Sequence, residues 1–237
     1  MRVKEFGESD LLVTFLTPDR GRLKGVAKGA RRSRKRFVNC LDIFSLVDLE
    51  YDPKRRGDLC FIYSGKLIEA YTGLRKKFST LSSASYMVEL TEILFPWALP
   101  ERHIFEGLKK TFHLLARGER ADLIAIFYEV IAMAQGGYSI SLEKCCVCGR
   151  IYKGEGTAVF IPEKGGIACT KCQQVTAVTP KISPDTVNII GRLQSESIAS
   201  IEQISASEEI FSELRQVLNL HMEYHLGRKP RTSNYLG

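Results

Sequence analysis

The chain has 237 residues, of which 44% are hydrophobic and 26% charged, and its formal net charge is +7. This composition excludes a disordered or fibrous chain, and the longest apolar run, Leu123–Ala134, is too short to span a bilayer and contains Glu129. Residues 1–80 hold 18 Lys and Arg against 10 Asp and Glu, whereas the remainder holds 16 against 17, so an N-terminal surface for a polyanion is expected.

Residues 1 to about 71 read as strands joined by turns. Met1–Lys4 is a very short first strand, and Leu11–Thr17 a second, ended by the turn Pro18-Asp19-Arg20-Gly21. Arg22–Lys28 completes a hairpin. Ile43–Tyr51 and Leu59–Tyr71 follow, separated by a turn over residues 52–58, with Leu59, Phe61, Tyr63 and Leu67 alternating onto one face. Strands this short and this closely spaced suggest a small closed or partly open barrel, with an SH3-like barrel as the rival.

From about residue 79 the period changes to 3.6. Helices are expected over Leu81–Trp97, Glu101–Arg117 and Ala121–Gln135. Ile104, Phe105, Leu108, Phe112 and Leu115 form one stripe on the second. The third is apolar nearly all round and belongs at a bundle centre. Ala158–Pro162 and Gly165–Ala168 suggest a hairpin. Ser183 caps a helix with Pro184 at its first position, and Ser205-Ala206-Ser207-Glu208 fits a capping box for a helix ending at Leu226, with Gly227 as its stop. The fold class is α+β: a β-rich domain at 1–78, then an all-α domain at 79–237 interrupted by a cysteine module at about 143–176.

That module carries Cys145-x2-Cys148 and Cys169-x2-Cys172. Each pair can grip one side of a tetrahedral Zn2+, and four sulfur ligands leave no position for an activated water, so the zinc is expected to be structural. An iron–sulfur cluster also accepts four thiolates. A redox C-x2-C would sit at a strand-to-helix junction, and disulfides would need an oxidising compartment. The opening Met-Arg-Val-Lys-Glu-Phe-Gly-Glu lacks the apolar core of a secretory signal. Cys146 competes with Cys145 as ligand; the spacing prefers Cys145 and leaves Cys146, Cys40 and Cys60 as ordinary thiols.

Lys24, Lys28, Arg31, Arg32, Arg34, Lys35 and Arg36 place seven cations in 13 residues without an acid. Their mutual repulsion calls for an anionic partner, and a nucleic-acid backbone fits; a solvated basic loop is the plainer alternative. Gly25, Gly29 and Ala30 leave the backbone open to phosphate. Phe37, Phe44, Tyr51, Phe61 and Tyr63 are available for base stacking, although strand aromatics more often fill cores. No pattern for reading base edges is visible, so sequence-independent binding is expected.

Other constellations carry no chemistry. His221 and His225 stand four apart, but Glu223 is misplaced for H-E-x-x-H, and the pair reads as a helix face. Gly21, Gly25 and Gly29 do not form a Walker loop, and the carboxylates are too scattered for a two-metal nuclease. No active site is expected.

Gly7-Glu8-Ser9-Asp10-Leu11-Leu12-Val13-Thr14, then Gly21-Arg22, then Val26-Ala27-Lys28-Gly29-Ala30-Arg31-Arg32, resembles the N-terminal region of bacterial RecO recombination mediators. The helical domain with a four-cysteine insert is similar to the same family. The resemblance implies an oligonucleotide/oligosaccharide-binding (OB) barrel followed by a zinc-carrying helical bundle. It implies non-enzymatic binding of single- and double-stranded DNA, strand annealing, and recombinase loading on DNA coated by single-strand binding protein. RecR and the acidic tail of single-strand binding protein are the implied partners, in the bacterial cytoplasm at the nucleoid and not at a membrane. Similar proteins have a fuller first strand before the Gly-Glu-x-Asp motif; with six residues before Gly7, either a true start upstream of Met1 or a barrel open at that edge is expected. A zinc-containing transcription regulator is the alternative, and it would need a recognition helix rich in Arg, Asn or Gln.

Overall fold

Leu11, Val13 and Phe15 alternate with Leu12, Thr14 and Leu16, and the first three enter a core with Leu23, Ala27, Cys60 and Ile62. This period-two entry into the core builds the sheet seen in a computed structural model of the chain. The structure describes residues 2–56, 59–195 and 204–235, with the side chains of 53–56 set aside. By contact density it forms two compact units, residues 1–84 with 95–119, and 85–94 with 120–237.

In the first unit, β1 (Arg2–Phe6), β2 (Asp10–Thr17), β3 (Gly21–Ala27), β4 (Leu46–Arg56) and β5 (Leu59–Glu69) make one sheet of order β1-β2-β3-β5-β4. All neighbours are antiparallel except β3 and β5, which run parallel over Gly25–Ala27 and Cys60–Ile62. No ladder joins β1 to β4 among the described residues, so the sheet is open. β1 reaches Phe6, beyond the short first strand expected, and Met1 lies outside the described residues. β4 runs on to Arg56, which narrows the expected turn; its Gly57 and Asp58 also lie outside.

α1 (Phe78–Leu94) begins in this unit, and α2 (Arg102–Ala116) belongs wholly to it. Four of the five residues of the α2 stripe, Ile104, Leu108, Phe112 and Leu115, are buried, and Phe105 at its edge is half-buried. Phe112 meets Phe44 and Tyr71 edge-on, with ring centroids 5.6 and 5.8 Å apart. The Arg22 guanidinium stacks 4.1 Å over Trp97, while its carbonyl accepts from Ala98 N. A 3.6-residue period reports that a helix buries a face, not which neighbour receives it; hence α2 joins the sheet unit.

The second unit centres on α3 (Ala121–Gln135), where every residue from Ile124 to Met133 is buried. It packs against α4 (Pro184–Ser195) and α5 (Glu208–Leu226), as its all-round apolar surface predicts. Ser183 Oγ accepts from Thr186 N at 3.3 Å at the start of α4. Ser207, not Ser205, caps α5, its hydroxyl accepting from Ile210 N at 3.4 Å. The capping pattern of the sequence is thus displaced by two residues.

Between α3 and α4 a small antiparallel sheet has the order β7-β6-β8, built from β6 (Ala158–Ile161), β7 (Gly166–Cys169) and β8 (Lys181–Ile182). β6 and β7 are the expected hairpin. β7 ends on Cys169, and that fixes half of the cysteine site.

Candidate nucleic-acid interface and metal centre

Residues opposite one another in a ladder share a face, so the registers of the large sheet define which residues lie on the side away from its core, where Thr14 and Val26 are themselves buried. Arg2, Thr14 and Lys24 form one row across β1, β2 and β3. Lys4, Leu12, Val26 and Phe61 form the next, reaching β5. Lys28 follows β3, and its ammonium sits 5.3 Å from the Phe61 ring. Arg2 and Lys4 were not singled out in the sequence; their period-two placement in Arg2-x-Lys4-x-Phe6 is the signal that marks them.

A β-bulge adds an aromatic to this face. Tyr51 pairs with Ile62 and Glu50 with Ser64, so Tyr63 is the extra residue. Ile62 points into the core at 2% exposure, while Tyr63 is 49% exposed, and Ser64 Oγ donates to Glu50 Oε2 at 2.9 Å. After the bulge the phase reverses, and Leu67 packs on the core. The expected sharing of one face by Leu59, Phe61, Tyr63 and Leu67 therefore fails, because one inserted residue changes which parity faces inward. Phe37 and Phe44 are buried, and Tyr51 packs edge-on against Phe15 at 5.3 Å. Phe61 and Tyr63 remain for stacking. Beyond them β4 presents Asp48, Glu50 and Asp52 at positions paired with Lys66, Ser64 and Phe61, an acidic margin to a basic sheet.

The segment after β3 is pinned from below by the Gly7–Asp10 turn. Asp10 Oδ1 accepts from Gly29 N at 2.8 Å, and Ser9 O from Arg31 N at 3.0 Å. The Arg31 guanidinium donates to Glu8 O and pairs with Glu5 at 3.1 Å. Arg36 donates to Lys28 O at 2.7 Å and lies 5.3 Å from the Phe37 ring. Arg31 and Arg36 thus shape the segment. Arg32, Arg34 and Lys35 are exposed and make no ion pair among the described residues; Lys24 is half-buried on β3 and Lys28 exposed. Gly25 is not open to phosphate. A Cβ there would lie 2.7 Å from Cys60 Sγ, so its role is close passage of β3 over β5.

In the second unit the sulfurs of Cys145, Cys148, Cys169 and Cys172 all lie within 4.8 Å of one another, and Cys146 is not among them. Zn–S bonds of about 2.3 Å in a tetrahedron require sulfurs about 3.8 Å apart, and Cys148 and Cys169 stand at 3.9 Å. The first knuckle closes through Cys145 N donating to Arg150 O and Gly149 N to Cys145 O, with Gly149 at φ 73°. The second closes through Cys172 N donating to Cys169 O. Cys146 N is used elsewhere, donating to Ile167 O at 2.8 Å.

Burial opposes ionisation of Cys145, but amides of Cys148, Cys169 and Val147 outweigh it and hold the thiol down to about 6. Cys148 N and Cys169 N approach its sulfur to 3.5 and 3.3 Å. The Cys172 partner lowers Cys169, whereas Cys172 is itself pushed up to about 12, first by its bond to Cys169. Cys145 and Cys169 are thus biased towards the thiolate and Cys172 against it. A divalent cation is what allows all four to ionise together, and the donor set fits one.

Two family models match: "Recombination protein O N terminal" over residues 1–71 and "Recombination protein O C terminal" over residues 75–234. Among curated proteins, the DNA repair protein RecO of Desulfatibacillum aliphaticivorans is 31% identical, with 100% of this chain and 93% of the relative covered. That of Syntrophus aciditrophicus (strain SB) is 28% identical, with 100% and 92% covered. That of Dehalococcoides mccartyi (strain CBDB1) is 25% identical over the same shares.

Proposed function

Because the chain belongs to the recombination protein O family of DNA repair proteins, we propose that its basic sheet face and the segment after β3 form a sequence-independent DNA-binding surface. The observation that carries the reading is the convergence of Arg2, Lys4, Lys24 and Lys28 with Phe61 and Tyr63 on one side of the sheet. Cations hold phosphates without reading bases, and outward aromatics offer faces on which unpaired bases stack. Arg32, Arg34 and Lys35 extend the phosphate path, with Arg31 and Arg36 fixing its course. The order β1-β2-β3-β5-β4 with parallel β3 and β5 supports an OB barrel of the partly open kind.

On this reading the protein binds single- and double-stranded DNA, anneals complementary strands and assists recombinase loading on DNA coated by single-strand binding protein. RecR and the acidic tail of single-strand binding protein are its protein partners, in the bacterial cytoplasm at the nucleoid, and no catalysis is involved. No helix among the described residues is long and apolar enough to cross a membrane. The four cysteines would hold one Zn2+ that ties the knuckle after α3 to the end of β7. A sequence-reading regulator would place its cations on an exposed recognition helix; here they lie on strands and on a segment whose helical part is the single 3-10 turn Ala30–Arg32.

The test is annealing of complementary random-sequence oligonucleotides, bare and coated with single-strand binding protein, beside direct binding in dilute buffer. Annealing that exceeds the spontaneous rate with either substrate is expected. Absence of binding at low ionic strength would overturn the reading.

A further inference from the structure

Tyr138 follows the Gly136-Gly137 turn that ends α3, and its carbonyl oxygen lies 2.8 Å from Nε2 of His221 on α5. A carbonyl only accepts, so His221 carries its proton on Nε2 and keeps the Nδ1 lone pair bare. That side chain is 1% exposed, and Nδ1 is buried without a partner. One helical turn later His225 is half-buried, and its Nε2 is likewise buried and unpartnered. The two rings stand 4.5 Å apart, with Phe160, Tyr138 and Tyr224 around them. Gly165 faces both: a Cβ there would come within 3.3 Å of His225 Nε2 and 3.6 Å of His221 Cε1.

Two orphaned ring nitrogens on one helix face are costly unless something satisfies both. The donation from His221 Nε2 to a backbone carbonyl is the arrangement that orients a metal-bound imidazole and raises its basicity. We propose that His221 Nδ1 and His225 Nε2 together bind a divalent transition-metal ion, Zn2+ or Ni2+, at a site separate from the four cysteines. Imidazole suits these ions, and the i, i+4 spacing puts both rings on one side of α5. Water completes the coordination from the half-buried His225 side. Glu223 is exposed and paired with Lys229 at 3.3 Å, so the site is one of binding and not of hydrolysis. The inference is independent of the DNA reading.

The full chain, brought to one zinc per chain so that only the cysteines are filled, is titrated with Ni2+ by calorimetry. A further single equivalent is expected in the parent and absent in His225→Gln, with bound zinc equal in both. Nickel should raise the thermal midpoint of the parent alone. A variant-free measurement accompanies it: of the four histidines, the imidazole nitrogen signals of His221 and His225 should broaden first with paramagnetic Ni2+. No further equivalent in the parent, a further equivalent surviving in His225→Gln, or first broadening at His103 or His113 would each overturn the proposal.

Discussion

The carboxylate of Asp10 accepts the amide proton of Gly29 at 2.8 Å, across 19 residues of sequence. The two most recognisable stretches of the N-terminal region are therefore one structural device, an acidic turn holding a basic loop in place. Asp10→Ala removes an ionised acceptor from a part-buried amide and should cost about 1.5–3 kcal/mol, read as a lower urea midpoint. Weaker DNA binding should accompany it although Asp10 touches no phosphate. Equal affinity in the variant would separate loop geometry from binding.

In the segment after β3, Arg32, Arg34 and Lys35 are exposed cations that make no ion pair among the described residues. Replacing all three by Ala should flatten the slope of log affinity against log salt by about 2 on a single strand, at about 0.7 per phosphate lost. Thermal stability should hardly change. A slope equal to the parent's would remove these side chains from the interface.

Tyr63→Ala should act differently. Stacking on an aromatic face contributes about 1–3 kcal/mol per base, so single-strand affinity should fall while the salt slope stays the same. Duplex binding should be little affected. Equal losses for both strand forms would point to a structural role for the bulge.

Two buried groups in the second unit titrate in opposite senses. Burial pushes Glu129 up to about 7, against the Tyr86 hydroxyl donating to it at 2.6 Å. Burial lowers His221 to about 4, against its bond to Tyr138. Stability from Glu129 is fully present below pH 4.5 and lost as pH rises through 7. That from His221 is present above pH 6.5 and lost as pH falls towards 4. Each amounts to about 3 kcal/mol, and over the shared range they offset one another. Relative to the parent, Glu129→Gln should lose stability on acidification and His221→Gln on alkalinisation, measured by urea unfolding with one zinc bound per chain and no excess metal. Parallel pH profiles for the three proteins would refute the assignment.

Cys145→Ser should release the metal and destabilise the module between α3 and α4, because a structural zinc supplies folding free energy on the order of 10 kcal/mol in small modules. Cys146→Ser should leave metal content at one per chain. The converse result, retention by the first variant and loss by the second, would exchange the ligand assignment.

Much of this was legible in the residues. The C-x2-C spacing located the cluster of four cysteines that could hold a metal ion, because a tetrahedral donor set imposes such spacing locally, and the apolar surround of α3 announced a buried helix. The bulge at Tyr63 was not legible, since an inserted residue leaves the composition of a strand unchanged while reversing its inward parity. Nor was the attachment of α2, whose stripe reads the same whether a sheet or a helix covers it. The division of labour among the arginines was equally hidden: Arg31 and Arg32 are neighbours in sequence, yet only the first has Glu5 and Glu8 within reach.

Asp48, Glu50 and Asp52 line one flank of the proposed interface. A phosphate chain drifting towards them meets repulsion, so the sheet offers a lane bordered on one side only. If the face binds DNA as proposed, a second strand is expected to approach from the opposite flank, that of Arg2 and Lys4.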